Sequence, residues 1–393
     1  MNYILFDSVA RTNLLPLTFT RPVADIRFGI LTIREKWEKY LNEVTSSLTE
    51  PYLSLKFPMV KASENVLING SICPTSNLVD QIKNLKSGQT LAKGDTIIVM
   101  CLNAESLTAL DELDSSDNIM TDEEFLKIEN TWDIFHLNGK AIREDFELLT
   151  KGRKSIRLSD TNRVTGNEQI FLEEGAKVEF AIINTNDGPV YIGKDAEVME
   201  GAKIRGPFAL CDHATLKMDA KIYGPTTIGP WSKVGGEVNQ SVIFGYTNKA
   251  HDGFLGHSVL GEWCNLGADT NTSNLKNNYE IVKLWSYTDD SFVQTGLQFC
   301  GTVMGDHSKC GINTMFNTGT VVGVNANIFG AGFQRNFVPS FSWGGTQGFV
   351  DFDLKKAFAI AKVVYERRGK VFDKIEQDIL TEIYNQTHKN RRA

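Results

Sequence analysis

The chain has 393 residues, 41% of them hydrophobic and 23% charged, and a formal net charge of −7. That is length for two or three domains of ordinary soluble composition, and the acidic balance excludes an electrostatic footprint for nucleic acid or an anionic membrane. The six cysteines (Cys73, Cys101, Cys211, Cys264, Cys300 and Cys310) form no CxxC pair and have no histidine at zinc-ligand spacing, which argues against a metal site. The opening residues turn acidic at Asp7, too soon for a signal peptide. No apolar run is long enough to span a bilayer, and a reducing cytoplasm is the expected setting.

Residues 1 to about 165 read as a mixed α/β domain. Residues 3–6 make a short apolar strand, and residues 30–45 a helix in which Ile33, Trp37 and Leu41 recur at i+4 with charges between them. Residues 96–100 are an unbroken apolar run suited to a buried parallel strand. Residues 105–125 are polar and acidic, a surface helix and loop. Residues 130–149 carry Trp132, Phe135, Leu137, Ile142, Phe146 and Leu148, a density suited to closing the first domain. Residues 152–164 are polar and basic and read as a linker.

The next segment is organised by a period of six. Ile192, Val198, Ile204, Leu210, Leu216, Ile222, Ile228 and Val234 occupy every sixth position, mostly with a small residue four places on, such as Ala196, Ala202, Ala214 and Ala220. A helix would need apolar residues at i+3 and i+4 of each anchor, and a lone strand would alternate. A six-residue period is instead the mark of a parallel β-helix whose rungs each make a short strand and a corner. The repeat starts weakly at Leu172 and Val178, breaks at residues 184–187, and resumes at Phe254, Leu260, Leu266 and Thr272. The interval from 234 to 254 is three hexads plus two, which predicts two extra residues near His251. A polar and aromatic interruption covers 273–297, after which Met304, Cys310, Phe316, Val322 and Ile328 restore the period. The tail, residues 351–387, reads as two helices split at Gly369, with stripes at Leu354, Phe358, Ala361, Tyr365 and at Val371, Ile375, Ile379, Ile383; such helices would cap a prism that otherwise ends in bare strands. The basic end, Lys389-Asn390-Arg391-Arg392, is a solvated terminus.

The register breaks are where function is expected, since loops on a rigid repeat carry sites. Three stretches stand out: Lys249-Ala250-His251-Asp252-Gly253-Phe254-Leu255-Gly256, Gly261-Glu262-Trp263-Cys264-Asn265-Leu266-Gly267-Ala268 and Thr270-Asn271-Thr272-Ser273-Asn274-Leu275. Residues 166–345 as a whole resemble the acetyltransferase half of the bifunctional N-acetylglucosamine-1-phosphate uridylyltransferase / glucosamine-1-phosphate acetyltransferase family, in its archaeal-type and Bacteroidetes-type form. The resemblance implies a left-handed β-helix, a trimer with the acyl-donor site between subunits, and acetyl-CoA as co-substrate. It places His251 on the catalytic histidine, Asn274 on the asparagine that meets the sugar or acetyl donor, and Gly267 and Ala268 at the acetyl group. It also places Phe254, Asn239 and Lys276 on the substrate side. Phe254 stands for a tyrosine and Asn239 for a lysine, which changes the contacts to the sugar more than the reaction. His257, six residues on, reads as structural or a minor contact.

A histidine suits the chemistry. Transfer from a thioester to an amino sugar needs a base working near neutrality for the proton that leaves as nitrogen attacks, and imidazole is matched to that task. A backbone N–H in the Gly267-Ala268 corner would meet the oxyanion. The plainer reading of His251 is an idle surface-loop histidine.

In the first domain, Leu14-Leu15-Pro16-Leu17-Thr18-Phe19-Thr20-Arg21-Pro22 resembles the opening of sugar-1-phosphate nucleotidyltransferases, a Rossmann-like α/β fold. Ser8 and Val9 replace glycine-loop positions, Asn13 the catalytic arginine and Val23 the lysine after Arg-Pro, so the backbone freedom of a phosphate cradle is reduced. No pair of metal-binding aspartates is visible, and Mg2+ is expected only if this domain is active. Arg11, Arg21 and Lys36 are the candidate nucleotide contacts; ion pairing on a structural fold is the alternative for them. Three functions follow: a sugar-phosphate or nucleotide-sugar acyltransferase, a sugar nucleotidyltransferase with the β-helix as oligomerisation module, or a non-catalytic sugar-nucleotide binder. The expected architecture is an α/β domain (1–165), a β-helix (166–345) and C-terminal helices (346–393).

Overall fold

The computed structural model describes residues 1–108, 118–167 and 169–391. Contacts divide the chain into two compact units: Met1–Leu14, Thr20–Ile26 and Leu31–Asn130 make one, and Leu15–Phe19, Arg27–Ile30 and Thr131–Ala393 the other.

The first unit is built on a six-stranded mixed sheet. Its strands are β1 (Asn2–Phe6), β2 (Thr45–Leu48), β3 (Glu64–Asn69), β4 (Thr90–Lys93), β5 (Thr96–Asn103) and β6 (Asn118–Met120), in the order β2-β1-β3-β5-β4-β6. β1 lies parallel to both β2 and β3. The apolar run at 96–100 is a strand, but it pairs antiparallel with β3 and β4; Ile98 and Val99 are buried while Ile97 reaches the surface. An unbroken apolar run reports burial, not strand direction. The helix Ile33–Leu41 begins at a capping box, with Thr32 accepting from the Glu35 N–H and Glu35 accepting from the Thr32 N–H, and it buries Ile33, Trp37 and Leu41 as expected. Trp37 Nε1 donates to the Ile72 carbonyl at 2.7 Å, so a buried indole is satisfied. Of the surface helix and loop expected over 105–125, the described residues hold a short turn at Ser106–Thr108, the strand β6 and an irregular stretch at 121–125; 109–117 lie outside them, as does Arg392.

The second unit is a parallel β-solenoid. Three ladders of six, nine and ten strands run along it. Ile192, Leu210 and Ile228 stack in one column, and Val198, Leu216 and Val234 in the next, each on its partner eighteen residues away. These side chains form one continuous buried core with the small residues Ala196, Ala202, Ala214 and Ala220. Each large anchor contributes about 1.5–3 kcal/mol of apolar burial, and every coil shares that core with its neighbours. The supposed linker already joins this unit, since Arg163–Thr165 is the first rung, paired with Ile182–Asn184. The helix Asn138–Thr150 packs on the solenoid rather than closing the first domain: Asn138 Nδ2 donates to Thr227 Oγ1 at 3.1 Å, and the Ile30 N–H donates to Asp145 at 2.7 Å.

Around His251 the coils are shortened, not lengthened. Val238, Ile243, Lys249 and Leu255 take successive inward positions, paired with Ile222, Ile228, Val234 and Val238. The step from Val234 to Val238 is four residues, turned by Gly235-Gly236. Leu255 is therefore the anchor and Phe254 is only half-buried. Counting hexads across the gap put the inward side chain one residue early.

One corner of the solenoid repeats a conformation. Asp195, His213, Trp231, Tyr246, Trp263, His307, Asn325 and Phe341 all have positive φ, between 53° and 64°. Each lies three residues after an inward residue of the nine-stranded ladder. The next corner uses Asp219, Asp269 and Asn313 for the same backbone, residue types that tolerate it. Large rings at the first corner are compensated by stacking: His213 on Trp231 at 4.1 Å, and Tyr246 on Trp263 at 4.1 Å between centroids. The expected tail helices are present as Leu354–Glu366 and Lys374–Gln386. Tyr365 continues the stack, 4.2 Å from Trp263 and 5.9 Å from His307. The interruption at 273–297 contains an antiparallel hairpin, Lys283–Ser286 with Ser291–Gln294.

Candidate functional site: a cationic cavity beside His251

His251 sits on an exposed turn between Asn248–Lys249 and Phe254–Gly256. It lines a cavity of about 630 Å³ together with Asn265, Gly267, Ala268, Tyr246 and Trp263, a volume that suits a cofactor-sized ligand. Lys233, Lys309, Arg367 and Arg368 also line it, and no carboxylate does among the described residues. Sequence reasoning missed these cations, because all four come from elements read as core rungs or capping helices. Burial pushes the Lys309 ammonium down to about 8, and its Nζ donates to the His307 carbonyl at 2.8 Å. Arg368 is also lowered, by desolvation and then by its neighbour Arg367; it reaches Asn248 Oδ1 at 3.4 Å. Four cations converging without a counter-carboxylate make a seat for a multiply charged anion.

The Gly267-Ala268 corner divides its labour. The Gly267 N–H donates to the Cys310 carbonyl at 3.0 Å, so it is occupied by the ladder. A side chain at Gly267 would meet the Gly311 and Ile312 backbone at 2.5 Å, which explains the glycine. The Ala268 N–H has no partner among the described residues and is the donor available to a ligand. Cys264 also lines the cavity, but burial raises its thiol and Sγ lies 3.3 Å from the Gly305 carbonyl, so it is no thiolate nucleophile.

The remaining candidates form a second group. Asn274 Nδ2 donates to His257 Nδ1 at 2.8 Å, and a side-chain amide nitrogen only donates, so the imidazole proton belongs on Nε2. Desolvation pushes His257 down to about 4, with a smaller push from His136; Phe299 stacks on its ring and Phe135 meets it edge-on. The Asn274 amide and the Phe254 ring both lie over Gly256, where a Cβ would touch them at 2.5 and 2.6 Å. Asn239 pairs with Gly256 in the ladder. Lys276 lies further along, 3.8 Å from Glu280 and donating to the Ile281 carbonyl at 3.4 Å. None of these lines the His251 cavity.

In the first unit, a cavity of about 540 Å³ opens at the ends of β1 and β3, lined by Asp7, Ser8, Val9, Asn13, Asn69, Asp95, Lys127 and Glu129 among others. That is the end of an α/β sheet where ligands bind. Arg11, Arg21 and Lys36 do not line it; all three are buried. Arg11 lies 3.2 Å from Asp7 and 3.4 Å from Glu50 and donates to Tyr52 Oη at 2.9 Å. Of the three carboxylates at the cavity, Asp7 and Glu129 are engaged, while Asp95 is exposed and has no hydrogen bond or ion pair among the described residues. Asp7 accepts from the Val23 N–H at 2.7 Å and from Thr49 at 2.6 Å. Glu129 is 2.5 Å from Lys127. A Mg2+–triphosphate complex needs free carboxylate oxygens, and of these three Asp95 is the one that offers an unengaged pair.

Residues 3–154 match the sugar nucleotidyl transferase family. The bifunctional protein GlmU of Methanocaldococcus jannaschii is 28% identical over 171 residues, 44% of this chain and 34% of that protein. The bifunctional sugar-1-phosphate nucleotidylyltransferase/acetyltransferase of Sulfurisphaera tokodaii is 26% identical over 178 residues, 45% of this chain and 43% of that protein. The chain is related to these bifunctional transferases. It spans less than half the length of either. Among solved structures, UDP-N-acetylglucosamine acyltransferase from Campylobacter jejuni aligns at 16% identity over 60% of this chain and 92% of that one, with a TM-score of 0.23; the solenoid assignment rests on the ladders themselves. The match over 3–154 agrees with the reading of the first domain as nucleotidyltransferase-like, and the bifunctional relatives agree with the family named for the second.

Proposed function

We propose that the solenoid unit transfers an acyl group from a coenzyme A thioester to the amino group of a sugar phosphate or nucleotide sugar. His251 is the base, the Ala268 N–H meets the oxyanion, and Lys233, Lys309, Arg367 and Arg368 hold the phosphates of the acyl donor. The proton leaves the attacking amine for His251, the C–N bond forms, and the thiolate departs. The observation that carries this reading is the convergence of an imidazole, an unpaired backbone donor and four cations on one cavity. Acetyl-CoA is the expected co-substrate, and assembly as a trimer in the cytoplasm follows the resemblance to the acetyltransferase family. Free thiol release from acetyl-CoA, tested over amino-sugar phosphates and amino nucleotide sugars, checks the reading. Release that depends on one such acceptor is expected; absence of release with every acceptor, together with no binding of acetyl-CoA, would reject it.

The first unit supports a second reading, as a holder of sugar phosphate or nucleotide sugar that does not turn it over. The engagement of Asp7 by Val23 and Thr49, against an active site that would need its oxygens free, favours it over an active nucleotidyltransferase. Pyrophosphate release from a nucleoside triphosphate, a sugar-1-phosphate and Mg2+ would contradict it.

A further inference from the structure

The ten-stranded ladder places apolar residues inward, coil after coil: Val178, Val198, Leu216, Val234, Leu266, Cys310 and Ile328. Lys249 interrupts it. The register pairs it with Val234, and it is 2% exposed, among the largest fully buried side chains of the chain. A cation in an apolar column costs several kcal/mol of desolvation, so stability alone would select another valine or leucine.

Its ammonium is spent on the loop. Nζ donates to the His251 carbonyl and, at 3.2 Å, to the Asp252 carbonyl. The same loop is held from its other sides: the Asp269 N–H donates to the Asp252 carbonyl at 3.0 Å, and the Glu237 N–H to the Gly253 carbonyl at 3.4 Å. It passes so close to Gly236, at φ +72°, that a Cβ there would lie 2.9 Å from Asp252 Cα and the His251 carbonyl. The loop is thus a short turn pinned from inside the prism by one side chain. We infer that Lys249 is a positioning residue, whose ammonium fixes the peptide groups of His251 and Asp252 and thereby the place of the imidazole at the cavity. The inference rests on the reading of His251 as the base. The charged and titratable groups that face Lys249 are Asp252, Asp269 and Cys310; burial outweighs their pull and pushes the ammonium down to about 8. Below that pH the clamp is charged, and above it the bonds to the two carbonyls weaken.

Lys249→Met tests this, because methionine fills the column without donating. In the variant kcat is expected to fall tenfold or more, KM for acetyl-CoA to stay within about twofold, and the melting temperature to be no lower than in the wild type. Wild-type kcat at saturating donor should fall above about pH 8, and that limb should vanish in the variant. A wild-type kcat in Lys249→Met, or a fall in kcat no larger than its loss of folded protein, would overturn the inference; if the methionine variant does not fold, Lys249→Leu, which also cannot donate, is read by the same criteria. Amide exchange at Asp269 and Glu237 tests the clamp without catalysis. Faster exchange there in the variant supports it, and unchanged exchange overturns it. If the wild type transfers nothing, it is the reading of His251 that fails, and the exchange result still decides whether the clamp exists.

Discussion

His257 and Lys309 show how burial sets charge near the two groups of candidate residues. His257 is held neutral by desolvation, with its proton on Nε2 and Nδ1 accepting from Asn274. Its folded pKa lies below the unfolded value, so between about 6.5 and 4 the unfolded chain binds more protons. Stability is therefore expected to fall as pH drops through that window. Denaturant midpoints measured from pH 7 to 4 for wild type and His257→Gln check this: the variant should lose less. Lys309 behaves in the opposite sense for binding. It is cationic below about pH 8 and neutral above it, so affinity for acetyl-CoA is expected to weaken as pH rises from 7 to 9. Titration calorimetry at the two pH values, with Lys309→Met as the pH-insensitive control, measures the effect. At this scale the meeting of His251, Gly267 and Ala268 at one cavity was legible, because a short motif carries all three. The cations could not, because Lys309, Arg367 and Arg368 are brought together by the fold over a separation that no local pattern records. The buried state of Arg11 was likewise out of reach, since its partners Glu50 and Tyr52 lie some forty residues away.

Among the elements, the corner stack and the C-terminal helix depend on each other. Tyr365 is 5% exposed and lies against Trp263 and His307, and Arg367 and Arg368, two and three residues on, line the cavity. Tyr365→Ala is expected to cost about 3 kcal/mol or more, in the range of large-to-small aromatic truncations, and to weaken acetyl-CoA binding by displacing both arginines. Tyr365→Phe keeps the stack and should restore both. Equilibrium unfolding and calorimetry report the two effects; a truncation that leaves the donor affinity unchanged would separate the helix from the site. The stack itself was legible in principle. Rings stand three residues after four successive inward residues of one ladder, at 213, 231, 246 and 263, but the six-residue apolar period draws attention to the anchors alone. The shortened coils near His251 were not legible, because a four-residue step at Gly235-Gly236 and a lysine at an inward position both break the pattern by which rungs are counted.

For the molecule as a whole, the solenoid was announced by periodicity, since eight consecutive anchors at six-residue spacing leave no other regular structure. The sheet unit was harder. Its strand β5 pairs antiparallel with β3 although the apolar run at 96–100 suits a parallel strand, and the helices after residue 130 pack on the solenoid although their aromatic density suits a domain closure. These scales meet at the cavity that His251 and Ala268 both line. The most direct measurement is thiol release from acetyl-CoA, in the presence of an amino-sugar acceptor that supports turnover, by the wild type and by His251→Ala. A loss of at least 10²-fold is expected, with the affinity for acetyl-CoA and the melting temperature unchanged. Turnover in His251→Ala equal to that of the wild type would contradict the account.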